Sequence, residues 1–377
     1  MKRFKRLLKW TAIITLCLLV SGALVISGYM QQAKFGAAPS GKRLTQIATS
    51  PEYRSGKFHN TVERPSLAEG HTFWGELNDY FFGKHPRRSP RAQVPSIKTD
   101  LSSIPRDSNV VIWLGHSTCF IQADGIRFLT DPSLSGNASP IPGTVPAFRG
   151  ANIYSPDDIP DIDYVLVSHD HYDHFDYETM RNLRGRVKHV VCGLGIGAHL
   201  ERWHYSPEQI IERDWHQQAV SGNGVLIYTE EAAHFSGRTF IQDRALWVSF
   251  VIQTPSTRIF YSGDGGYGKH FATIGAKYGP FDLALMECGQ YDKAWHYVHL
   301  LPEEVVKASV DVKAKQVLPV HNSKFQLAKH PWDEPLEKML ALSAGKPYRL
   351  ATPMIGEPFK IGDTTHRFTQ WWKYEVY

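Results

Sequence analysis

Cysteine is scarce: four residues in 377, with no C-x-x-C pair and no framework spacing, which argues against a disulfide scaffold. Cys17 falls in an N-terminal apolar run. Cys119, Cys192 and Cys288 lie in apolar stretches (TCFI, VVCGL, LMECG), where a thiol behaves as a small buried hydrophobe. A surplus of one charge is also missing once the N-terminus is set aside. The chain has 42 Lys and Arg against 37 Asp and Glu, but Lys2, Arg3, Lys5, Arg6 and Lys9 crowd the first nine positions with no acid among them; the other 37 basic residues are matched by the 37 acids. A balanced body lacks the broad cationic surface that tracks nucleic-acid phosphates, so no nucleic-acid partner is expected. Biased composition is absent too. With 42% apolar and 21% charged residues, 30 Gly and 23 Pro, disorder and collagen-like repeats are excluded. No internal repeat is evident, and the length allows one large domain or two ordinary ones.

What is present begins at residues 10 to 30, WTAIITLCLLVSGALVISGYM, which carry no charge. This is about the ~20 residues that a helix needs to cross a bilayer, and the basic residues before it mark the cytoplasmic side. A cleaved signal sequence is the alternative, but its apolar core is usually only ~7–15 residues. An uncleaved anchor over 1–30 is therefore expected. In a bacterial cell it would hold the rest of the chain outside the cytoplasm, at the inner membrane and in the periplasm.

Residues 31–105 are rich in Gly, Pro, Ser and basic residues and read as a linker and N-terminal extension. Within them lies an aromatic knot from His71 to Phe82, followed by Lys84, Arg87, Arg88 and Arg91. Docking of the knot onto the core is expected; a membrane-surface contact through Phe73, Trp74, Phe81 and Phe82 is the alternative. From residue 106 the pattern changes to short apolar runs: NVVIWLGHSTCFIQ, IRFLTDP, DYVLVS, VKHVVCGL, GVLIYTEEA, ALWVSFVIQT, TRIFYSGD, DLALMECG and KQVLPVH. The first two read as strands joined by an Ala-Asp-Gly turn, and PEEVVKASVDV and DEPLEKMLALSAG read as helices. The region 106–377 is thus a mixed α/β domain.

The chemistry is concentrated after the strand DYVLVS, in Ser168-His169-Asp170-His171-Tyr172-Asp173-His174. Three imidazoles and several carboxylates in one short stretch offer borderline ligands suited to zinc. Residues two apart in a loop can converge on one ion, while Asp173 and His174 project to a neighbouring site. His234 follows LIYTEEAA, Asp264 ends RIFYSG and His321 ends KQVLPV. Strand ends are where an α/β fold gathers a site, because loops there carry ligands while the sheet holds them.

These motifs resemble the metallo-β-lactamase superfamily. Within it, the chain is similar to the N-acylphosphatidylethanolamine-hydrolysing phospholipases D and their bacterial relatives. The resemblance rests on Trp113-Leu-Gly-His-Ser-Thr118, Leu129-Thr-Asp-Pro132, the His169 to His174 cluster, Tyr261-Ser-Gly-Asp-Gly-Gly-Tyr267, His299-Leu-Leu-Pro-Glu-Glu304 and Pro319-Val-His-Asn322, and covers roughly residues 57 to 360. It implies a four-layer αβ/βα sandwich holding two Zn2+ ions. His169, His171 and His234 would hold one, Asp173, His174 and His321 the other, and Asp264 would bridge them. Two cations acidify a shared water into a nucleophile and neutralise charge on a phosphoryl oxygen. Asp173 and Asp264 thereby serve catalysis, and His299 is expected near the phosphate or the leaving group as a general acid. Relatives carry an Asp before the Pro where this chain reads His299-Leu-Leu, a departure that bears on the general acid alone. Asp131 either orients a ligand or is a turn Asp before Pro. His116 is a supporting residue or a buried His bonded to backbone.

The expected reaction is phosphodiester cleavage of N-acylphosphatidylethanolamine to an N-acylethanolamine and phosphatidic acid, with a phospholipid partner and a membrane reached through the N-terminal helix. The resemblance adds homodimerisation, on which no residue pattern speaks. Alternatives are a lactonase, a non-lipid phosphodiesterase, or a non-catalytic metal-binding envelope protein. An iron redox site would want a carboxylate where His171 stands.

Overall fold

The computed structural model describes residues 2–222 and 224–373. Helix α1 (Lys2–Met30) comes first, exposed along most of its length and, among the described residues, the one helix long and apolar enough to be a candidate membrane span. Helix α2 (Gly41–Ile47), a hairpin of β1 (Tyr53–Arg54) and β2 (Lys57–Phe58), and helix α3 (Phe73–Phe82) lead into the body.

The body holds two seven-stranded sheets. In chain order the first half contributes β3 (Val110–Trp113), β4 (Cys119–Ala123), β5 (Ile126–Thr130), β6 (Ile162–Val167), α4 (Tyr177–Leu183), β7 (Val187–Gly193), α5 (Gly197–Arg202) and β8 (Ile210–Arg213). The second half contributes β9 (Gln217–Gly222), β10 (Val225–Glu230), β11 (Ser249–Gln253), β12 (Arg258–Tyr261), α6 (His270–Tyr278), β13 (Leu283–Glu287), α7 (Pro302–Asp311), β14 (Gln316–Val320), α8 (Glu334–Leu342) and β15 (Arg349–Leu350). Finally β16 (Pro358–Lys360) returns to the first sheet. The orders are β16-β3-β4-β5-β6-β7-β8 and β15-β14-β13-β12-β11-β10-β9. Each sheet joins three antiparallel pairings to three parallel ones, the change falling at β5 in one and β12 in the other.

Alternation along the strands divides their side chains between two faces. Trp113, Ile121, Phe128 and Leu166 meet Ile227, Phe250, Ile259 and Leu318 between the sheets. Leu129, Val165 and Val190 face Met180, Leu183 and Leu200 of α4 and α5, and Phe260, Ala284 and Val317 face Phe271, Val305 and Met339 of α6, α7 and α8. Burial on both faces explains the near-continuous apolar runs. The result is a four-layer αβ/βα sandwich.

Two features differ from the sequence reading. The stretch NVVIWLGHSTCFIQ is two strands, because Gly115 (φ 90°) and His116 (φ 53°) turn the chain between β3 and β4. The aromatic knot does not dock on the core: it forms α3, none of whose residues is buried. Its acidic residues meet the body instead, Glu76 and Asp79 pairing with Lys329.

Candidate metal centre

The carboxyl ends of the parallel strands of both sheets converge on one site. Asp131 follows β5, His169 follows β6, Glu287 ends β13 and His321 follows β14. His116, Asp131 and His321 all have left-handed backbones (φ 53°, 33° and 68°). Such strain in non-glycine residues concentrates at functional sites, where surrounding bonds hold it. Here the His321 N–H donates to the His116 carbonyl at 3.0 Å, and the His116 N–H to the Asn322 carbonyl at 3.3 Å, which ties the two sheets together at the site.

One group that suits a metal ion is His169, His171 and His234. His171 Nδ1 lies 2.9 Å from His169 Nε2 and 3.3 Å from His234 Nε2. The opposite ring atoms are engaged elsewhere. His234 Nδ1 donates to the Val298 carbonyl (2.8 Å), and His169 Nδ1 sits 2.9 Å from Ser168 Oγ. The second group is Asp173, His174 and His321, with His116 beside them. Asp173 Oδ2 is 3.3 Å from His174 Nε2, 3.3 Å from His321 Nε2 and 2.9 Å from His116 Nε2. His116 thus bonds Asp173 through its ring; its Nδ1 is buried with no hydrogen-bond partner among the described residues. Asp264 Oδ2 stands between the groups, 3.1 Å from both His174 Nε2 and His321 Nε2 and 4.0 Å from His169 Nε2.

Behind these residues lies a shell of orienting groups. Asp131 accepts from His174 Nδ1 (2.7 Å), from the Ser168 N–H (2.7 Å) and hydroxyl (2.5 Å), and from the Tyr261 hydroxyl. A buried carboxylate behind an imidazole is the usual partner of a metal-ligating His. Glu287, which the sequence reading passed over, is fully buried and pairs with His299 Nδ1. Its carboxylate also lies 3.5 Å from His321 Nδ1 and accepts from the Gly265 N–H at 2.8 Å. The available signal was an acid closing an apolar strand, as at Asp264.

The electrostatics suit a cation. Burial, followed by the neighbouring imidazoles, holds His169 and His234 well below the ordinary histidine range, and burial lowers His171 as well. All three present neutral lone pairs, the ligating form. Burial opposes the charged forms of Asp173 and Asp264, yet His174 chiefly, joined by His321, holds both carboxyls well below the usual range. Those carboxylates in turn raise His174 and bring His321 up to about 10 against the effect of burial. Asp264 Oδ1 is buried without a hydrogen bond among the described residues, and buried His174 Nε2 is met only by the carboxylates of Asp173 and Asp264. A buried polar atom left unsatisfied calls for a missing partner, which a divalent ion held by these residues would supply.

A cavity of about 290 Å³ opens onto the site, lined by His171, Asp173, Asp264, His299 and His321, with Phe235, Trp295, Val298 and Leu327 as its apolar wall. Ser66, Phe235 and Val298 are shared with a neighbouring open cleft of about 770 Å³ that reaches His234 and is edged by Arg54, Lys57, His59 and Arg64. His116, Asp131, His169, His171, Asp173, His174, His234, Asp264, His299 and His321, the site residues offered by the sequence, therefore come together in this one place.

Residues 126–322 match the β-lactamase superfamily domain. The chain belongs to the metallo-β-lactamase superfamily of metal-dependent hydrolases. An uncharacterised protein of Mycobacterium tuberculosis is 36% identical over 336 residues, 86% of this chain and 88% of that one. N-acyl-phosphatidylethanolamine-hydrolyzing phospholipase D 1 of Caenorhabditis elegans is 30% identical over 280 residues, 67% of this chain and 75% of its own. Among solved structures, the metallo hydrolase Igni18 of Ignicoccus hospitalis superposes with a TM-score of 0.52 at 20% identity, covering 67% of this chain and 98% of its own, a likeness of fold.

Proposed function

We propose that the protein is a dinuclear metal-dependent phosphodiesterase that cleaves N-acylphosphatidylethanolamine to an N-acylethanolamine and phosphatidic acid. The observation that carries the reading is Asp264, one carboxylate facing both histidine groups at 3.1 to 4.0 Å. Similarity to the nematode phospholipase D supports the choice of substrate. His169, His171 and His234 would hold one ion and Asp173, His174 and His321 the other, with Asp264 between; an imidazole and carboxylate set of this kind suits zinc. Bound there, two ions supply Lewis acidity, making water nucleophilic near neutral pH and stabilising charge on the phosphoryl oxygen.

The chain's own groups do the rest. Asp131 fixes the His174 ring, and the Val298 carbonyl fixes the His234 tautomer so that Nε2 faces the site. Glu287 engages His299 Nδ1, which leaves Nε2 as the atom that gives a proton to the departing alkoxide. Phe235, Trp295 and Leu327 form an apolar wall beside His299 in the cavity. In this reading residues 1–30 anchor the chain, 31–105 form the extension and 106–377 the hydrolase domain, held outside the cytoplasm.

A second reading, a soluble phosphodiester as substrate, is favoured by the adjoining cleft, whose lining of Arg54, Lys57, His59, Asn60, Glu63 and Asp243 suits a polar extension of the substrate. Phosphatidic acid release from N-acylphosphatidylethanolamine vesicles by the metal-loaded full chain, with and without chelator, separates the two. Chelator-sensitive release is expected. Turnover of a soluble diester with no release from vesicles would favour the second reading.

A further inference from the structure

Helix α3 has its polarity reversed with respect to the body. A surface helix of a globular protein turns its apolar stripe to the core and its charges to water. Here Glu76 and the half-exposed Asp79 pair with Lys329 of the body, with Nζ–O distances of 2.5 and 2.8 Å, while Phe73 (63% exposed), Trp74 (75%), Phe81 (66%) and Phe82 (81%) face out. Thr72 caps the helix by accepting from the Gly75 N–H at 3.1 Å. Phe73 and Trp74 touch edge to face and Phe81 lies against Phe82, so the helix exposes two pairs of large aromatics, an arrangement that marks an interaction surface rather than scattered exposure.

The helix is also fixed beside the metal centre. Lys329 lies 3.3 Å from Asp292 and over the Trp295 ring at 5.4 Å, and the Ala68 N–H donates to the Ala294 carbonyl at 2.7 Å. Trp295 and Leu327 are wall residues of the metal cavity. The other flank of the site receives the end of α1. Arg238 Nη2 donates to the Lys34 carbonyl at 2.7 Å while its Nη1 donates to the Asp170 carbonyl, in the histidine loop itself, at 2.8 Å. Trp203 Nε1 donates to the Ala33 carbonyl at 2.7 Å and the Tyr29 hydroxyl to the Pro140 carbonyl at 2.8 Å. Beside this exit Ile141 and Phe240 are again exposed, at 53% and 84%.

We propose that α3 is a second membrane contact, which lays Phe73, Trp74, Phe81 and Phe82 into the headgroup region of the bilayer that α1 crosses and so holds the metal cavity against the lipid surface. The occupant is a lipid surface for three reasons. The chain carries a candidate span whose exit is bonded to the histidine loop. The exposed side chains are those that settle at headgroup depth. Lys84 and Arg91, exposed just beyond the helix, suit anionic headgroups. With α1 alone the body could swivel about one tether, whereas a second contact beside Trp295 and Leu327 of the cavity wall fixes its orientation. The inference depends on α1 spanning a membrane, not on which bond is hydrolysed.

The test uses the full chain with Cys17→Ser, leaving the three buried cysteines, and a nitroxide attached at Trp74→Cys, at Phe82→Cys or, as the aqueous control, at Lys346→Cys. Each protein is checked for an unchanged thermal transition and reconstituted in phosphatidylethanolamine and phosphatidylglycerol vesicles. Collision with a water-soluble nickel chelate is expected to be at least five-fold lower at positions 74 and 82 than at 346, with higher collision with oxygen. Nickel accessibility equal to that at 346 would overturn the proposal. Protection from both reagents with spin–spin broadening would overturn it in favour of a second copy of the chain. Neither result depends on hydrolysis, so failure here and failure of the phosphodiesterase reading are separate.

Discussion

Asp131 and His174 form the pair on which the metal loop turns: the carboxylate, at the end of one strand, takes the Nδ1–H of the imidazole at 2.7 Å and leaves Nε2 3.1 Å from Asp264. Four donors meet on that carboxylate, three from the histidine loop and one from β12, which makes Asp131, at the end of β5, the junction of these three elements.

Replacing Asp131 by Asn puts an amide where several donors converge. Metal affinity is expected to fall ~10–100-fold, and stability by about 1–3 kcal/mol as buried donors lose their acceptor. Metal titration and denaturant unfolding of the two proteins check this; unchanged affinity would remove the orienting role.

Glu287 acts through His299. Glu287→Gln is expected to slow hydrolysis of a diester with an alkyl leaving group roughly 100-fold, within the range of general acid catalysis, while a p-nitrophenyl diester, which needs no proton, loses far less. Equal losses on both substrates would point to a merely structural carboxylate.

Lys324, buried three residues after His321, gives the fold a pH signature of its own. Its ammonium is buried, donating to the Ser133 carbonyl at 2.8 Å and more weakly to Leu114 at 3.3 Å, and burial pulls its pKa from 10.5 down to about 7. Below pH 7 the lysine is protonated in both folded and unfolded chains, and the folded state bears the whole cost of the buried charge. Between 7 and 10.5 the unfolded chain binds more protons, so stability rises with pH, on the order of a few kcal/mol in all. His174 and His321, whose raised values make stability fall with pH over the same window, are common to the parent and to Lys324→Met, so it is the difference in unfolding free energy between the two metal-free proteins, parent minus variant, that is expected to rise from pH 7 through 8.5 to 10. A slope unchanged in the variant would assign the effect elsewhere.

Much of the site was legible because chemical residues stand out at the ends of apolar strands: His169, Asp264 and His321 each interrupt such a run. Glu287 was hidden because it closes its strand beside Cys288 and its partner comes twelve residues later. The burial of Lys324 and the exposure of α3 reverse what their residue types prefer, and in each case distant contacts decide. Ser133 and Leu114 draw the lysine in, and Lys329 pairs with the acids of α3 while the aromatics of the helix stay outside.

The most direct test of a bridged dinuclear centre compares metal content and phosphodiester hydrolysis in the full chain and in Asp264→Asn, with circular dichroism to verify the fold. Two ions per chain and chelator-sensitive hydrolysis are expected for the parent, and for the variant a loss of at least one ion and roughly 1000-fold lower activity, the scale of losing a principal charge-stabilising group. A folded Asp264→Asn protein that keeps both ions and full activity would contradict the central claim.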